Sequence, residues 1–143
     1  MIRYSSRVAI ERPPADVFAV LLDGPRYGEW TEMQQTRFDG PGSPRIGTRG
    51  SFVFPKGLLK GNYDMEITAL EPDRQLEFNV TGPAVLWKAV MGLDPKGGHT
   101  ELTYAGEVSM RGWRRLFEPL MAGEVRKGEA REAEQLKALL EAG

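Results

Sequence analysis

Few side chains in this sequence are of the types that carry chemistry, and none of them falls into a strong motif. The single histidine, His99, follows Gly97-Gly98 in a turn-rich segment and has no cysteine or second histidine with which to bind a metal ion. No Gly-x-Ser-x-Gly nucleophile motif occurs, and the glycines of segment 40–50 do not match a dinucleotide-binding pattern. The sequence therefore predicts neither a metal site nor a cofactor.

The remaining candidates for chemistry are acidic and hydroxyl-bearing side chains that periodicity places on inward faces. These are the carboxyl of Glu132, the hydroxyl of Ser6 and the phenols of Tyr4, Tyr63 and Tyr104. If Glu132 is buried without a partner, its pKa is raised and it becomes a candidate general acid or ligand anchor. If it is exposed, it has no such role, and the sequence leaves both alternatives open.

The element that must position Glu132 is a long helix predicted over Arg111 to Gly143, about 45 Å at roughly 1.5 Å per residue. Pro119 either kinks this helix or marks where a preliminary turn around Trp113 gives way to it. The helix is apolar at both ends of its inner stripe and carries a glycine and a glutamate between them, so its centre either spans a space or lifts off into solvent. The stripe consists of Phe117, Met121, Val125, Gly128, Glu132, Leu136 and Leu139.

Upstream of this helix, apolar and polar residues mostly alternate, which is typical of half-buried strands. Strands are predicted at residues 2–11, 35–39, 46–54, 63–69, 76–81, 84–93 and 102–110, and short helices at 15–22 and 26–32. Tight turns between consecutive strands predict an antiparallel sheet, and the terminal helix is the only element long enough to cover it. The fold class is therefore α+β.

Length and composition predict one globular domain, residues 1–143, with 41% hydrophobic and 27% charged residues. No apolar run approaches the roughly 18 residues of a membrane-spanning helix, so stable membrane insertion is not expected. A net charge of −1 gives no basic surface for nucleic acid. The absence of cysteine and of an apolar leader favours the cytoplasm.

Several short motifs resemble the START-related polyketide cyclase/dehydrase and lipid-transport superfamily, also called the SRPBCC or Bet v 1-like group. The resemblance covers essentially the whole chain. It rests on Val8-x-Ile10-x-x-Pro13-Pro14-Ala15-Asp16-Val17-Phe18, Asp23-x-Pro25-x-Tyr27-x-x-Trp30, Gly47-Thr48, Gly98-x-Thr100-x-Leu102-x-Tyr104 and Glu134-Gln135-Leu136-Lys137.

The resemblance implies a helix-grip fold, in which a seven-stranded antiparallel sheet curves around the C-terminal helix and encloses an apolar cavity. Members of the group bind lipids, sterols, polyketides or hormones, and some cyclise or dehydrate the bound substrate. We expect a small hydrophobic ligand, with candidate binding residues Tyr4, Phe52, Phe54, Tyr63, Met65, Phe78, Trp87, Met91, Tyr104, Met121, Val125, Gly128 and Glu132.

Three functions remain open from the sequence: ligand binding, catalysis of the cyclase or dehydratase type through Glu132 and tyrosine hydroxyls, and protein interaction. Leu58-Leu59, between lysines, is either a mobile apolar tip or is packed back onto the sheet. A homodimer formed through an edge strand is a further alternative.

Overall fold

The computed structural model describes residues 1–142, in which one antiparallel sheet is combined with helical segments near both ends of the chain. Its strands are β1 (Ile2–Ile10), β2 (Gln34–Phe38), β3 (Arg49–Phe54), β4 (Gly61–Glu71), β5 (Gln75–Thr81), β6 (Val85–Lys96) and β7 (His99–Met110). Its helices are α1 (Pro14–Leu21), a first 3₁₀ helix (Gly24–Glu29), a second 3₁₀ helix (Gly112–Phe117) and α2 (Glu118–Ala142).

The seven strands lie in the order β1-β7-β6-β5-β4-β3-β2, so every strand from β2 to β7 pairs with its neighbour in the chain. β1 pairs with β7, in a register that runs from Ile2 opposite Val108 to Ile10 opposite Thr100. The predicted seven-stranded antiparallel sheet with a long C-terminal helix is confirmed. The prediction succeeded because the alternation of buried and exposed residues along a strand shows which face of the strand is turned inward.

The connection from β1 to β2 is formed by two short helical segments, as predicted, but the second is a 3₁₀ helix over Gly24–Glu29 and not a helix over 26–32. Pro25 stands at its start, where a missing N–H costs nothing, and the segment ends before Trp30. The hydroxyl of Tyr27 donates to the backbone carbonyl of Leu21, 2.5 Å away, which fixes this segment against α1.

The second 3₁₀ helix gives way to α2 at Glu118, so Pro119 lies in the first turn of α2 and not at a kink inside it. The last residue of the predicted helix, Gly143, lies outside the described residues. Phe117, predicted on the inner stripe, is 39% exposed, since it precedes α2 and does not follow its helical period. No helix among residues 1–142 is long and apolar enough to cross a membrane.

α2 lies along β1 and β7, and its polar side chains occupy the outer edge of β1. Arg126 donates to the carbonyl of Arg3 at 2.9 Å, and Lys137 donates to the carbonyl of Ala9 at 2.6 Å. Edge carbonyls bound in this way are less available to a strand of another chain. The opposite edge of the sheet is the five-residue strand β2.

Three strand boundaries differ from the prediction by three residues, namely the starts of β3 and β7 and the end of β6, and the others differ by two residues or fewer. β3 begins at Arg49 and not at Ile46, because Ile46 is exposed and Gly47, at φ +91°, turns the chain between them. β6 continues to Lys96, since only Gly97-Gly98, both at positive φ, form the turn to β7.

Candidate functional site

A cavity of about 240 Å³ lies between the sheet and the N-terminal half of α2. Exposed residues among its lining, including Lys56 in the β3–β4 loop (residues 55–60) and Glu124 on α2, mark its open mouth. Small-molecule sites commonly measure roughly 300–1,000 Å³, so this cavity suits a small ligand or one that projects through the mouth. It is lined by Glu32, Phe54, Lys56, Gly57, Leu58, Leu59, Val85, Trp87, Val108, Met121, Glu124, Val125, Gly128, Glu129 and Glu132.

The cavity lies at the part of α2 where its inner stripe becomes small and polar. A Cβ atom added to Gly128 would meet no other atom within 4 Å, so this position borders open space. Further along the helix, Ala133, Leu136 and Leu140 are buried in the core. Of the two alternatives left open by the sequence, the structure has the one in which the centre of the helix spans a space.

The sheet supplies an aromatic wall behind the cavity. Phe54 and Trp87 border the space, and Phe52 packs between them and the rest of the core. The Phe52 ring stacks on Tyr63 at 5.2 Å between centroids and meets Trp87 edge-on at 6.5 Å. Rings held by several neighbours give the cavity a rigid apolar surface.

The polar end of the cavity is formed by Glu129 and Glu132, which are three residues apart on α2 and therefore share one face of the helix. The hydroxyl of Tyr104, from β7, donates to Oε2 of Glu132 at 3.2 Å. Oε2 of Glu129 is buried and has no hydrogen-bond partner among the described residues. Two carboxyl groups thus converge at one end of the cavity, and the phenol of Tyr104 lies behind them.

Burial dominates the acid–base behaviour of these groups. It raises the pKa of Glu129 to about 7, and the neighbouring hydroxyl of Tyr104 opposes this rise. Burial, followed by repulsion from Glu129, raises the pKa of Glu132 well above its ordinary value. Burial and the two carboxyls also raise the pKa of Tyr104, so its hydroxyl keeps its proton. Burial therefore favours the protonated form of both carboxyl groups.

Tyr4 supports the polar end from behind. The indole N–H of Trp87 donates to the Tyr4 hydroxyl at 2.9 Å, and the Tyr4 ring lies 6.1 Å from that of Tyr104. Burial raises the pKa of Tyr4, and Glu129 raises it further. The hydrogen bond therefore links the aromatic wall to the residues beside the carboxyl pair.

The residues predicted to bind a ligand divide into two groups. Those that border the cavity are Phe54, Trp87, Met121, Val125, Gly128 and Glu132. Those that lie in the core without lining it are Tyr4, Phe52, Tyr63, Met65, Phe78, Met91 and Tyr104. Alternation identifies inward side chains, but it does not tell which of them pack on one another, as Phe52 does on Tyr63.

Tyr63 and Tyr104 use their hydroxyls differently. Tyr63 donates to the carbonyl of Leu59 at 2.7 Å and so holds the β3–β4 loop, whereas Tyr104 reaches the carboxyl pair. Leu58 and Leu59 are half-buried and border the cavity, which makes this loop one of its walls.

The most important residue that the sequence did not single out is Glu129. It lies four residues after Val125 and three before Glu132, and this spacing alone could have placed it on the inner face of the helix. The loop residues Lys56 and Gly57 had no such signal, because a loop has no periodicity. His99 begins β7 and does not border the cavity.

A seven-stranded antiparallel sheet with a long C-terminal helix across it defines the helix-grip, or START-like, class of proteins. The family model described as "Polyketide cyclase / dehydrase and lipid transport" matches residues 1–141, and the chain belongs to this family. A comparison with curated protein sequences found no match.

Solved structures with the same fold share little sequence with this chain. A START superfamily protein from Mycobacterium smegmatis is 13% identical, with 99% of each chain covered and a TM-score of 0.82. The protein TTHA0849 from Thermus thermophilus is 14% identical, with 98% of this chain and 97% of that chain covered and a TM-score of 0.76.

A third similar structure is DynU16, a protein of the dynemicin biosynthetic locus, which is 17% identical with a TM-score of 0.70. The match covers 99% of this chain but only 48% of DynU16, so the chain spans about half the length of that relative. At sequence identities this low, the similarity to these structures shows a shared fold alone.

Proposed function

We propose that the protein binds a small apolar or amphipathic molecule, of lipid, polyketide or aromatic type, in the cavity between α2 and the sheet. The observation that carries this proposal is the unfilled space beside Gly128, which is bordered by Trp87 and Phe54. Apolar walls with a few convergent polar groups are typical of small-molecule sites. The family description, which includes lipid transport, agrees with such a role.

The glycine itself supports a binding role over simple packing. Glycine inside a helix costs roughly 1 kcal/mol relative to alanine, and a larger residue at position 128 would meet no obstacle. Gly123 in the same helix also meets no atom within 4 Å, but it is exposed, whereas Gly128 is half-buried and borders the cavity. Gly128 therefore keeps the space open.

The proposal is tested by a substitution on α2 that fills the cavity with a side chain. Gly128→Leu places an apolar side chain where the ligand would lie, whereas Gly123→Leu makes the same change at an exposed position of α2 that also has no atom within 4 Å. Both variants gain helix propensity by the same Gly→Leu change, so a difference between them does not come from helix propensity. Native mass spectrometry of protein purified from its own host should detect a bound small molecule in the wild type and in Gly123→Leu but not in Gly128→Leu. Equal occupancy of all three would contradict the proposed site.

A second candidate, an enzyme of the cyclase or dehydratase type, is favoured by the hydrogen bond between Tyr104 and Glu132 beside the cavity. Burial favours the protonated form of Glu132, which can donate its proton to a carbonyl or hydroxyl of a bound substrate. Glu132→Gln should then lower turnover of a polyketide substrate by about 100-fold or more. Glu134→Gln, at an exposed position of the same helix, should leave turnover unchanged. Unchanged turnover in Glu132→Gln would exclude this role.

A further inference from the structure

The carboxyl groups of Glu129 and Glu132 lie at the inner end of the cavity without a basic side chain to balance them. Oε2 of Glu129 is buried and unpartnered among the described residues, and Glu132 has the neutral hydroxyl of Tyr104 as its hydrogen-bond partner. Buried carboxylates in proteins are normally paired with a cation or a donor. The pair is therefore only partly satisfied by residues 1–142.

The basic residues of this part of α2 are engaged or exposed, and Lys127 is among the exposed ones. Arg126 donates to the carbonyl of Arg3, and Lys137 binds the carbonyl of Ala9 and the carboxylate of Glu141. Among the residues that line the cavity, Lys56 is the basic one, and it is exposed in the β3–β4 loop. Arg131 favours the ionised form of Glu132 but ranks last among the influences on it and is itself exposed.

The missing partner has a definite chemistry. A protonated amine carries up to three N–H donors and a positive charge, so it can satisfy the free oxygen of Glu129 and the carboxyl of Glu132 together. The apolar part of the lining, which includes Phe54, Trp87 and Val125, suits an apolar body attached to that amine. Ligand and cavity would then be complementary both in charge and in polarity.

We propose that the ligand of this cavity is a small amine with an apolar body, whose ammonium group binds between Glu129 and Glu132 beside the hydroxyl of Tyr104. This inference rests on the proposed function, because it requires that the cavity bind a small molecule. It goes further in naming the class of ligand and the residues that select it.

The inference has a pH signature. Burial raises the pKa of both carboxyls, so an amine, which is cationic throughout the range, must displace a proton from the pair at pH 5.5 and displaces less at pH 8. The amine should therefore bind about tenfold or more tightly at pH 8 than at pH 5.5, whereas a neutral ligand of the same shape should change little. The titratable and charged groups around the pair are Tyr4 and Tyr104 from the sheet, Glu32 from the segment before β2, and Arg131 on α2, and Lys56 and Glu124 line the same cavity.

Isothermal titration calorimetry with 2-phenylethylamine and 2-phenylethanol tests this directly, because the two probes differ only in the amine and the hydroxyl. The wild type at pH 8 should bind the amine at least about tenfold more tightly than the alcohol, a difference expected of a charge-assisted hydrogen bond. Glu129→Gln should remove this preference, Glu134→Gln should keep it, and Gly128→Leu should abolish binding of both probes.

The outcomes separate this inference from the proposed function. Equal binding of amine and alcohol, abolished by Gly128→Leu, would overturn the amine specificity and leave the cavity as a binding site. Amine binding that survives Glu129→Gln and Glu132→Gln would also overturn it. A molecule co-purified from the host whose accurate mass requires no nitrogen would overturn it as well, and so would failure of the wild type to bind the amine.

Discussion

Glu129 and Glu132 determine how the folded state responds to pH, because their carboxyls are acidic in the unfolded chain and much less so when buried. Between the unfolded and folded pKa values the native state holds more protons than the unfolded state. The contribution of this pair to the free energy of unfolding therefore falls as pH rises from about 4.5 through 7 and beyond. This is the reverse of the usual behaviour of ion-paired carboxylates, and it is the cost of keeping acidic groups in an apolar cavity.

Replacing one of these carboxyls should stabilise the protein at alkaline pH. Glu129→Gln removes a group whose pKa is raised to about 7 and should increase the free energy of unfolding at pH 8 by about 2 kcal/mol. At pH 5, where Glu129 is protonated in the folded state, the gain should be much smaller. Urea denaturation at the two pH values measures the difference, and Glu134→Gln serves as the exposed control. A variant with the same pH dependence as the wild type would show that Glu129 is not buried as described.

One glycine beside the polar end of the cavity, Gly106, has no room for a side chain. A Cβ atom at Gly106 in β7 would overlap the carbonyl oxygen of Lys88 and the ring and hydroxyl of Tyr4. Gly92 in β6 is free of this constraint, because a Cβ atom there would have its nearest neighbour, Thr103, 4.0 Å away. The two glycines thus provide a matched pair in adjacent strands.

Gly106→Ala should lower the free energy of unfolding by about 2 kcal/mol or more, because the new methyl group displaces Tyr4 or the β6 backbone. Gly92→Ala should change it by less than about 0.5 kcal/mol. Chemical denaturation of both variants measures the contrast. Equal effects would mean that the cost comes from the strand conformation and not from the close contact with Tyr4.

The elements were largely predictable because strands and helices repeat. Tyr63, Met65 and Ile67 alternate with exposed residues, and the structure buries all three. The prediction failed where periodicity ends: Phe117 belongs to a 3₁₀ helix and is exposed, and the strand around Ile46 is a turn. Pro119 indicated a boundary at the start of α2, and Gly47 indicated one at the start of β3. Neither residue showed on which side of it the regular structure begins.

The site was less predictable than the fold, because a periodic pattern gives the face of a residue and not its distance from another element. Gly128 and Glu132 stood out as interruptions of an apolar stripe, and both border the cavity. Glu129 was missed because it stands beside Gly128, just outside the predicted stripe. The role of Tyr104 depends on a hydrogen bond between β7 and α2, which no local pattern encodes.

At the scale of the whole molecule, the cavity joins the parts of the chain that are otherwise least connected. The β3–β4 loop and the N-terminal half of α2 face each other across it, and the loop is held to the sheet by the hydroxyl of Tyr63. A ligand in the cavity would contact both sides at once. Its binding energy would therefore stabilise the loop and the helix against local opening.

Ligand binding should slow backbone hydrogen exchange in residues 55–60 and 121–132 and leave the pairing of β1 with β7 unchanged. A ligand present at about 100 times its Kd should also raise the free energy of unfolding by about 2.7 kcal/mol. Hydrogen-exchange mass spectrometry with the molecule identified by native mass spectrometry measures the first effect. Gly128→Leu should show no response to that molecule, and protection confined to the outer strands would place the ligand elsewhere.

The carboxyl groups at the polar end of the cavity, those of Glu129 and Glu132, come from a single turn of α2, while the sheet contributes apolar surface. Charge selection and shape therefore reside in separate pieces of the polypeptide. If the cavity binds a ligand as proposed, substitutions at positions 125, 128, 129 and 132 would change its preference to acidic, neutral or larger ligands without disturbing strand pairing. Because the charged groups lie on α2 and the apolar surface lies on the sheet, this fold is a suitable starting point for engineered sensors.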